Sequence, residues 1–159
     1  DDAAWQAAVD GLLFSVIRLV RAATPHLVAR GGGRIINVAS VAVKEPIAGL
    51  VLSNAVRAAV VGLAKTLAAE LAPSGILVNT VCPGRIATDR LRELDEDRAR
   101  RLDCPVAEVR LAAQQRIPLG RYGTPEELAA LVTFLASSQA SYLTGTTILC
   151  DGGLFAGLM

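Results

Sequence analysis

Two hydroxyls and a fixed cation stand at a spacing that chemistry can use. Ser40 closes the run Ile35-Ile36-Asn37-Val38-Ala39, and thirteen positions later comes Ser53-Asn54-Ala55-Val56-Arg57. Residues four apart on a helix are neighbours, so Ser53 and Arg57 share a face. An arginine presents five donors in a planar fork, enough to hold sugar hydroxyls or to stabilise an oxygen gaining negative charge. A serine is a poor proton donor beside a phenol, whose pKa is about 10. A third group is Val78-Asn79-Thr80-Val81-Cys82-Pro83-Gly84-Arg85-Ile86-Ala87-Thr88, an apolar run broken by Pro-Gly and ending in another hydroxyl. A fourth is Tyr142-Leu143-Thr144-Gly145 with Asp151-Gly152-Gly153. Plainer readings stand beside these. Ser53 and Thr88 suit helix N-caps, Ser40 suits a strand-end turn, and Arg57 suits a solvent-facing or interface position.

These groups need elements to hold them. Trp5, Val9, Leu12, Leu13, Val16, Ile17, Val20 and Leu27 recur at helical spacing. They predict one long amphipathic helix from about Asp2 to Arg30, ended by Gly31-Gly32-Gly33. The apolar run from Arg34 to Ala39, bracketed by breakers, predicts a strand buried on both faces. An Ala-rich helix follows from about Leu50 to Leu71, stopped by Pro73-Ser74-Gly75, and then a second buried strand from Ile76 to Val81. The charged stretch from Ile86 to Arg116 reads as two short helices forming a mobile flap. Thr124-Pro125-Glu126-Glu127 starts a helix that runs to about Ser137, with a hydroxyl N-cap, Pro in the first turn and Glu at the third position. Thr146 to Cys150 is the last strand. Alternating helices and strands imply right-handed crossovers and a parallel sheet covered on both faces. Ligands bind outside the carboxyl ends of such strands, so Ser40, Pro83-Gly84 and Asp151 should face one crevice.

Composition narrows the classes. The chain is 52% hydrophobic but only 4% aromatic, which favours helices packed on a buried sheet over a β-sandwich. A net charge of +1 provides no field for nucleic acid or an anionic membrane. Nine of the fourteen arginines lie between Arg85 and Arg121, but Asp89, Glu93, Asp95, Glu96, Asp97, Asp103 and Glu108 are interleaved with them, as on a solvated mixed-charge face. Cys82, Cys104 and Cys150 are widely spaced and His26 is alone, which fits reduced cytoplasmic thiols rather than a metal site or disulfide framework. No stretch approaches the ~18 uninterrupted apolar residues of a membrane helix. His26 reads as a surface residue, Tyr122 and Tyr142 as packing residues, and Cys82 as an inert buried thiol. The chain opens inside a helical pattern, so part of a longer protein is expected.

In order and separation, Asn37 to Ser40, Ser53-x-x-x-Arg57, Pro83-Gly84-x-Ile86-x-Thr88 and Asp151-Gly152-Gly153 resemble the C-terminal half of a short-chain dehydrogenase/reductase of the 3-oxoacyl-reductase kind. The resemblance implies an α/β, Rossmann-like doubly wound parallel sheet. Residues 1–159 would supply three strands with long crossover helices, as the C-terminal part of one domain whose Gly-rich dinucleotide-binding half is not in this sequence. It implies NAD or NADP as cofactor, a small carbonyl or alcohol substrate, and a homodimer or homotetramer, with no nucleic-acid or membrane partner. It makes Ser40 the ligand of the substrate carbonyl. Asn37, Pro83, Gly84, Ile86 and Thr88 become cofactor-binding residues, and Arg57 the holder of the ribose. Where the family carries Tyr-x-x-x-Lys, this chain has Ser53 and Arg57, and Leu12 replaces the helix Asn that supports a relay water. Ser40, Ser53 and Arg57 are therefore the catalytic set, with two outcomes open. One is a ketone/alcohol oxidoreductase using a water near Ser53. The other is an impaired family member that binds cofactor or metabolite, or serves as a structural subunit.

Overall fold

A computed structural model describes residues 1–158. Three parallel strands, β1 (Gly33–Val38), β2 (Ile76–Pro83) and β3 (Thr147–Cys150), lie in the order β1-β2-β3. The register sets Ile35 beside Val78, Asn37 beside Thr80 and Pro83 beside Cys150. β2 runs past the expected Val81 to Pro83, because pairing with β3 continues to Cys150. β1 instead stops before Ala39, whose N–H still donates to the Val81 carbonyl at 2.8 Å.

Both faces of the sheet are covered, as a parallel sheet requires. Helix α3 (Val51–Leu71) lays Ala64 and Ala68 on Ile76 and Val78, joined by Leu27 and Ile35. Helix α6 (Pro125–Ala136) packs Leu135 on Val81 with Leu131, Val132 and Ile148. Small residues on α3 let the helix sit close to the Val and Ile rows, so the aromatic-poor core closes without large side chains. The turn into β1 also approaches closely: Gly32 has φ +135°, and a Cβ there would lie 2.6 Å from the Gly75 carbonyl oxygen.

The expected first helix is one 28-residue rod, Asp2–Ala29, made of α1 (Asp2–Ala8), a π-helical stretch Val9–Phe14 and α2 (Ser15–Ala29). The wide turn encloses Gly11 and Leu12, and the Ser15 hydroxyl donates to the Gly11 carbonyl at 2.7 Å. Mean hydropathy over its most apolar 18 residues is 1.4, so by length and composition alone it could cross a bilayer, although Asp10, Arg18 and Arg21 interrupt it and no uninterrupted apolar run of that length is present. Only Val20 is buried along it, and Trp5 and Leu19 are exposed.

The charged stretch forms longer and more regular helices than its composition suggests. These are α4 (Asp89–Leu102) and α5 (Val106–Gln115), with ion pairs Arg92–Asp89, Arg90–Glu93 and Arg100–Asp97 along α4. The start of α6 is the predicted capping box. Glu127 N–H donates to Thr124 Oγ1 at 3.3 Å and Thr124 N–H to Glu127 Oε2 at 2.8 Å.

One buried amide fixes the last strand. Asn79, 1% exposed, donates from Nδ2 to the Leu143 carbonyl (2.8 Å), and its Oδ1 accepts from Thr146 Oγ1 (2.8 Å) and Thr146 N (3.3 Å). Val78 N–H donates to Thr144 Oγ1 at 3.1 Å, and Gly145 N–H to the Val78 carbonyl at 2.7 Å. The Tyr142–Gly145 segment thus aligns β3 and, through it, Asp151 at its end.

Candidate active site

Ser40 stands two residues beyond the end of β1 and caps a single 3-10 turn, Val41–Val43, where its Oγ accepts from Ala42 N–H at 3.2 Å. The turn-forming reading is therefore correct and compatible with the chemical one. With Oγ already accepting, the hydroxyl proton is left to donate to a substrate oxygen.

Ser53 is not a cap. Helix α3 starts at Val51 behind Leu50, which makes no side-chain capping bond, so Ser53 lies in its first turn. Its Oγ accepts from Arg57 Nε at 3.2 Å. Arg57 is half-buried and reaches across to the end of β1, where Nη1 donates to the Ala39 carbonyl (3.2 Å) and the Val38 carbonyl (3.4 Å). Its Nη2 has no hydrogen-bond partner among the described residues. The arrangement joins Ser53, Arg57 and the strand end that carries Ser40, and it replaces the solvent-facing reading of Arg57.

Cys82, fully buried at the end of β2, touches the same corner. Burial pushes its thiol up, against the pull of the Ser40 backbone N–H and of the Lys44 and Arg57 charges. It remains a poor nucleophile, as its sequence position implies. Nothing in the spacing points to Lys44 as a neighbour of this corner.

The Pro-Gly turn is built by contact between strand ends. Gly84 N–H donates to the Cys150 carbonyl at 3.0 Å, and a Cβ on Gly84 would lie 2.6 Å from Asp151 Cβ. Asp151 itself turns back to accept from Gly153 N–H and Phe155 N–H, both at 2.9 Å, so its role is to close the chain. Pro83, Gly84, Ile86 and Thr88 line one cavity of about 490 Å³, walled by Leu91 and Leu128 among others. Thr88 Oγ1 accepts from Leu91 N–H at 3.3 Å, so it caps α4 as its plainer reading says.

Asn37 lies within β1, 8% exposed; it is not among the cavity-lining residues, and neither are Ser40, Ser53, Arg57 and Asp151, so the cavity holds only the Pro83-Gly84 part of the expected crevice. Asn37 Nδ2 is buried without a partner among the described residues. Leu12 sits half-buried in the π-helical stretch. The remaining tempting groups stay outside. His26 is exposed on α2 as expected, Tyr142 is fully exposed rather than packed, and the Tyr122 hydroxyl donates to Asp95 Oδ2 at 2.8 Å. Asp95 has no sequence signal, being one acid among many in a charged stretch.

The residues present suit the nicotinamide half of a dinucleotide. The cavity has the size and apolar lining of a site for a ring and its sugar, and the turn at Gly84 has no side chain in the way. The free end of Arg57 supplies donors for ribose hydroxyls.

Residues 1–155 match a family model described as Enoyl-(Acyl carrier protein) reductase. The chain is 38% identical over 151 residues to the 3-oxoacyl-(acyl-carrier-protein) reductase FabG of Vibrio cholerae, covering 95% of this chain and 57% of that protein. Across eight of the curated relatives it matches, it spans 54–59% of their length. It superposes on L-sorbose reductase from Gluconobacter frateurii, solved with NADPH and L-sorbose, with a TM-score of 0.93 at 31% identity, over 99% of this chain and 60% of that one. It also superposes on an NADPH-bound short chain oxidoreductase from Pseudomonas aeruginosa PAO1, described as containing an atypical catalytic center. There the TM-score is 0.85 at 36% identity, over 99% of this chain and 59% of that one.

Proposed function

Because the chain belongs to the short-chain dehydrogenase/reductase family, we propose that it is the catalytic part of an oxidoreductase interconverting a ketone and a secondary alcohol with NAD or NADP. The bound nicotinamide supplies or accepts the hydride. The protein's own groups handle the oxygen and its proton. Ser40, its Oγ accepting from Ala42 N–H, donates its hydroxyl proton to the carbonyl oxygen and so orients it. Arg57, anchored on the Val38 and Ala39 carbonyls, turns its free Nη2 toward the ribose hydroxyls or the oxygen that gains charge. A water hydrogen-bonded beside Ser53, whose Oγ is held by Arg57 Nε, relays a proton from solvent to that oxygen, and the serine keeps its own. The Pro83–Thr88 turn and the cavity behind it would hold the nicotinamide.

The single observation that carries this reading is the Arg57 Nε to Ser53 Oγ hydrogen bond at 3.2 Å, which reproduces a cation-supported hydroxyl where a Lys-supported phenol is the family's rule. The relatives support a carbonyl substrate, a small ketone or an acyl-chain ketone, since they include a 3-oxoacyl reductase and a sorbose reductase. Three free thiols favour a cytoplasmic setting, and the exposed apolar residues along the first helix suit a homodimer or homotetramer better than a monomer.

A second reading is favoured by Ser53, Arg57 and Leu12 together: a family member that binds cofactor without turnover. Following nicotinamide absorbance of the full-length protein with a panel of ketones separates the two. Turnover that disappears in Ser40→Ala supports the enzyme. Cofactor binding with no turnover, and turnover appearing in Ser53→Tyr/Arg57→Lys, supports the binding protein.

A further inference from the structure

Helix α4 is attached by a carboxylate rather than by an apolar stripe. Of its fourteen residues only Asp95 and Ala99 are buried, and Asp95 is 1% exposed. Asp95 Oδ1 accepts from Arg85 Nη1 at 3.2 Å and Oδ2 from the Tyr122 hydroxyl at 2.8 Å. The Arg85 guanidinium stands 5.9 Å from the centroid of the Tyr122 ring. The three side chains come from the turn just after Pro83-Gly84, from the middle of α4, and from the loop ahead of α6.

Backbone contacts complete the joint. Gly123 N–H donates to the Arg85 carbonyl at 2.9 Å, and Ala87 N–H to the Gly123 carbonyl at 2.8 Å. A Cβ on Gly123 would lie 2.8 Å from Ile86 Cδ1, so a side chain there would have to push the end of Ile86 aside. An ionised carboxylate taken out of water persists only where its partners are held in place. Here the partners are the two segments that flank the cavity. Leu91 and Leu94, on α4 just before Asp95, wall that cavity opposite Leu128 and Val132 of α6.

We propose that Asp95 is a positioning residue. By holding Arg85 and Tyr122 at once it fixes α4 against the Pro83–Thr88 turn, and so sets the width of the cavity that receives the nicotinamide. It is not among the residues that line the cavity. The inference rests on the oxidoreductase reading for the identity of the occupant, but not for the joint itself.

The test uses the full-length protein with Asp95→Asn and Tyr122→Phe, read by amide hydrogen exchange and by cofactor kinetics. Exchange within 89–102 should quicken by about tenfold or more, with α3 unchanged, because α4 has little other burial. The KM for the cofactor should rise roughly tenfold, with kcat at saturation within about twofold, as a loss of uniform binding requires. Asp95→Glu, which keeps the charge, should recover part of the cofactor KM. Unchanged exchange in α4 would overturn the proposal, as would faster exchange with an unchanged cofactor KM. If Asp95→Asn fails to fold, Tyr122→Phe carries the test, since it leaves the Arg85 pairing intact. If the parent binds neither NADH nor NADPH, the oxidoreductase reading falls, and exchange alone decides whether Asp95 pins α4.

Discussion

Arg57 Nε and Ser53 Oγ lie 3.2 Å apart, one turn along α3, with the same guanidinium anchored on the Ala39 carbonyl next to Ser40. Groups so linked act as a unit. Ser53→Ala and Arg57→Met should each lower kcat, by on the order of 10²-fold, and the double variant should lose little more than either single one. Steady-state kinetics on the four proteins give the coupling. Strictly additive losses would mean that the hydroxyl and the guanidinium work independently.

Gly84 carries no side chain because β3 passes directly behind it. A methyl there would meet Asp151 Cα at 2.8 Å as well as Cβ at 2.6 Å, and part of that obstacle is backbone. Gly84→Ala should therefore shift the turn and weaken cofactor binding by more than about tenfold, measured by fluorescence titration. Gly62→Ala is the matched control. It sits within α3 with nothing within 4 Å of an added Cβ, and should stabilise the protein by roughly 0.5–1 kcal/mol.

Asn79 satisfies three polar groups of the Leu143–Thr146 segment from inside the core. Asn79→Leu fills the same space but leaves those groups unpaired. Urea unfolding should report a loss of about 2–4 kcal/mol. A loss below about 0.5 kcal/mol would show that β3 is aligned without it.

Glu127 is held well below the ordinary carboxylate range, at about 2 against 4.5, first by hydrogen bonds from Arg121 and then by the Thr124 backbone N–H. A carboxyl depressed on folding contributes stability that is complete above its unfolded pKa and disappears as pH falls through its folded one. The Tm advantage of the parent over Glu127→Gln should therefore be constant above about pH 4.5 and shrink steadily toward pH 2. Because the pair is exposed, added salt should reduce that advantage at every pH. An advantage that persists undiminished at pH 2 would assign the cap's stability to packing instead.

Much of this arrangement is legible in the residue order. The strand–helix alternation, the buried β2 and the Thr124 capping box follow from local pattern alone, because period, breakers and caps are properties of neighbouring residues. The placement of Ser40 and Pro83-Gly84 at strand ends follows from the same pattern. What the sequence hides depends on contacts between distant segments. The role of Ser53 turns on where α3 begins, which is decided by Leu50 and Val51 rather than by the serine itself. The Arg57 anchor on β1 and the Asp95 joint each link residues ten or more positions apart. Asp95 in particular has the same composition around it as six solvated neighbours, and only its burial distinguishes it.

On the function proposed above, Ser40, with the Ser53–Arg57 pair beside it, serves carbonyl reduction at the strand ends. The most direct measurement is the initial rate of nicotinamide oxidation by the full-length protein with a reducible ketone, compared with that of Ser40→Ala at equal cofactor saturation. A parent rate above background that falls by about 10²-fold or more in Ser40→Ala is the result predicted. A Ser40→Ala rate equal to that of the parent, or a parent that binds cofactor and reduces no ketone, would contradict it.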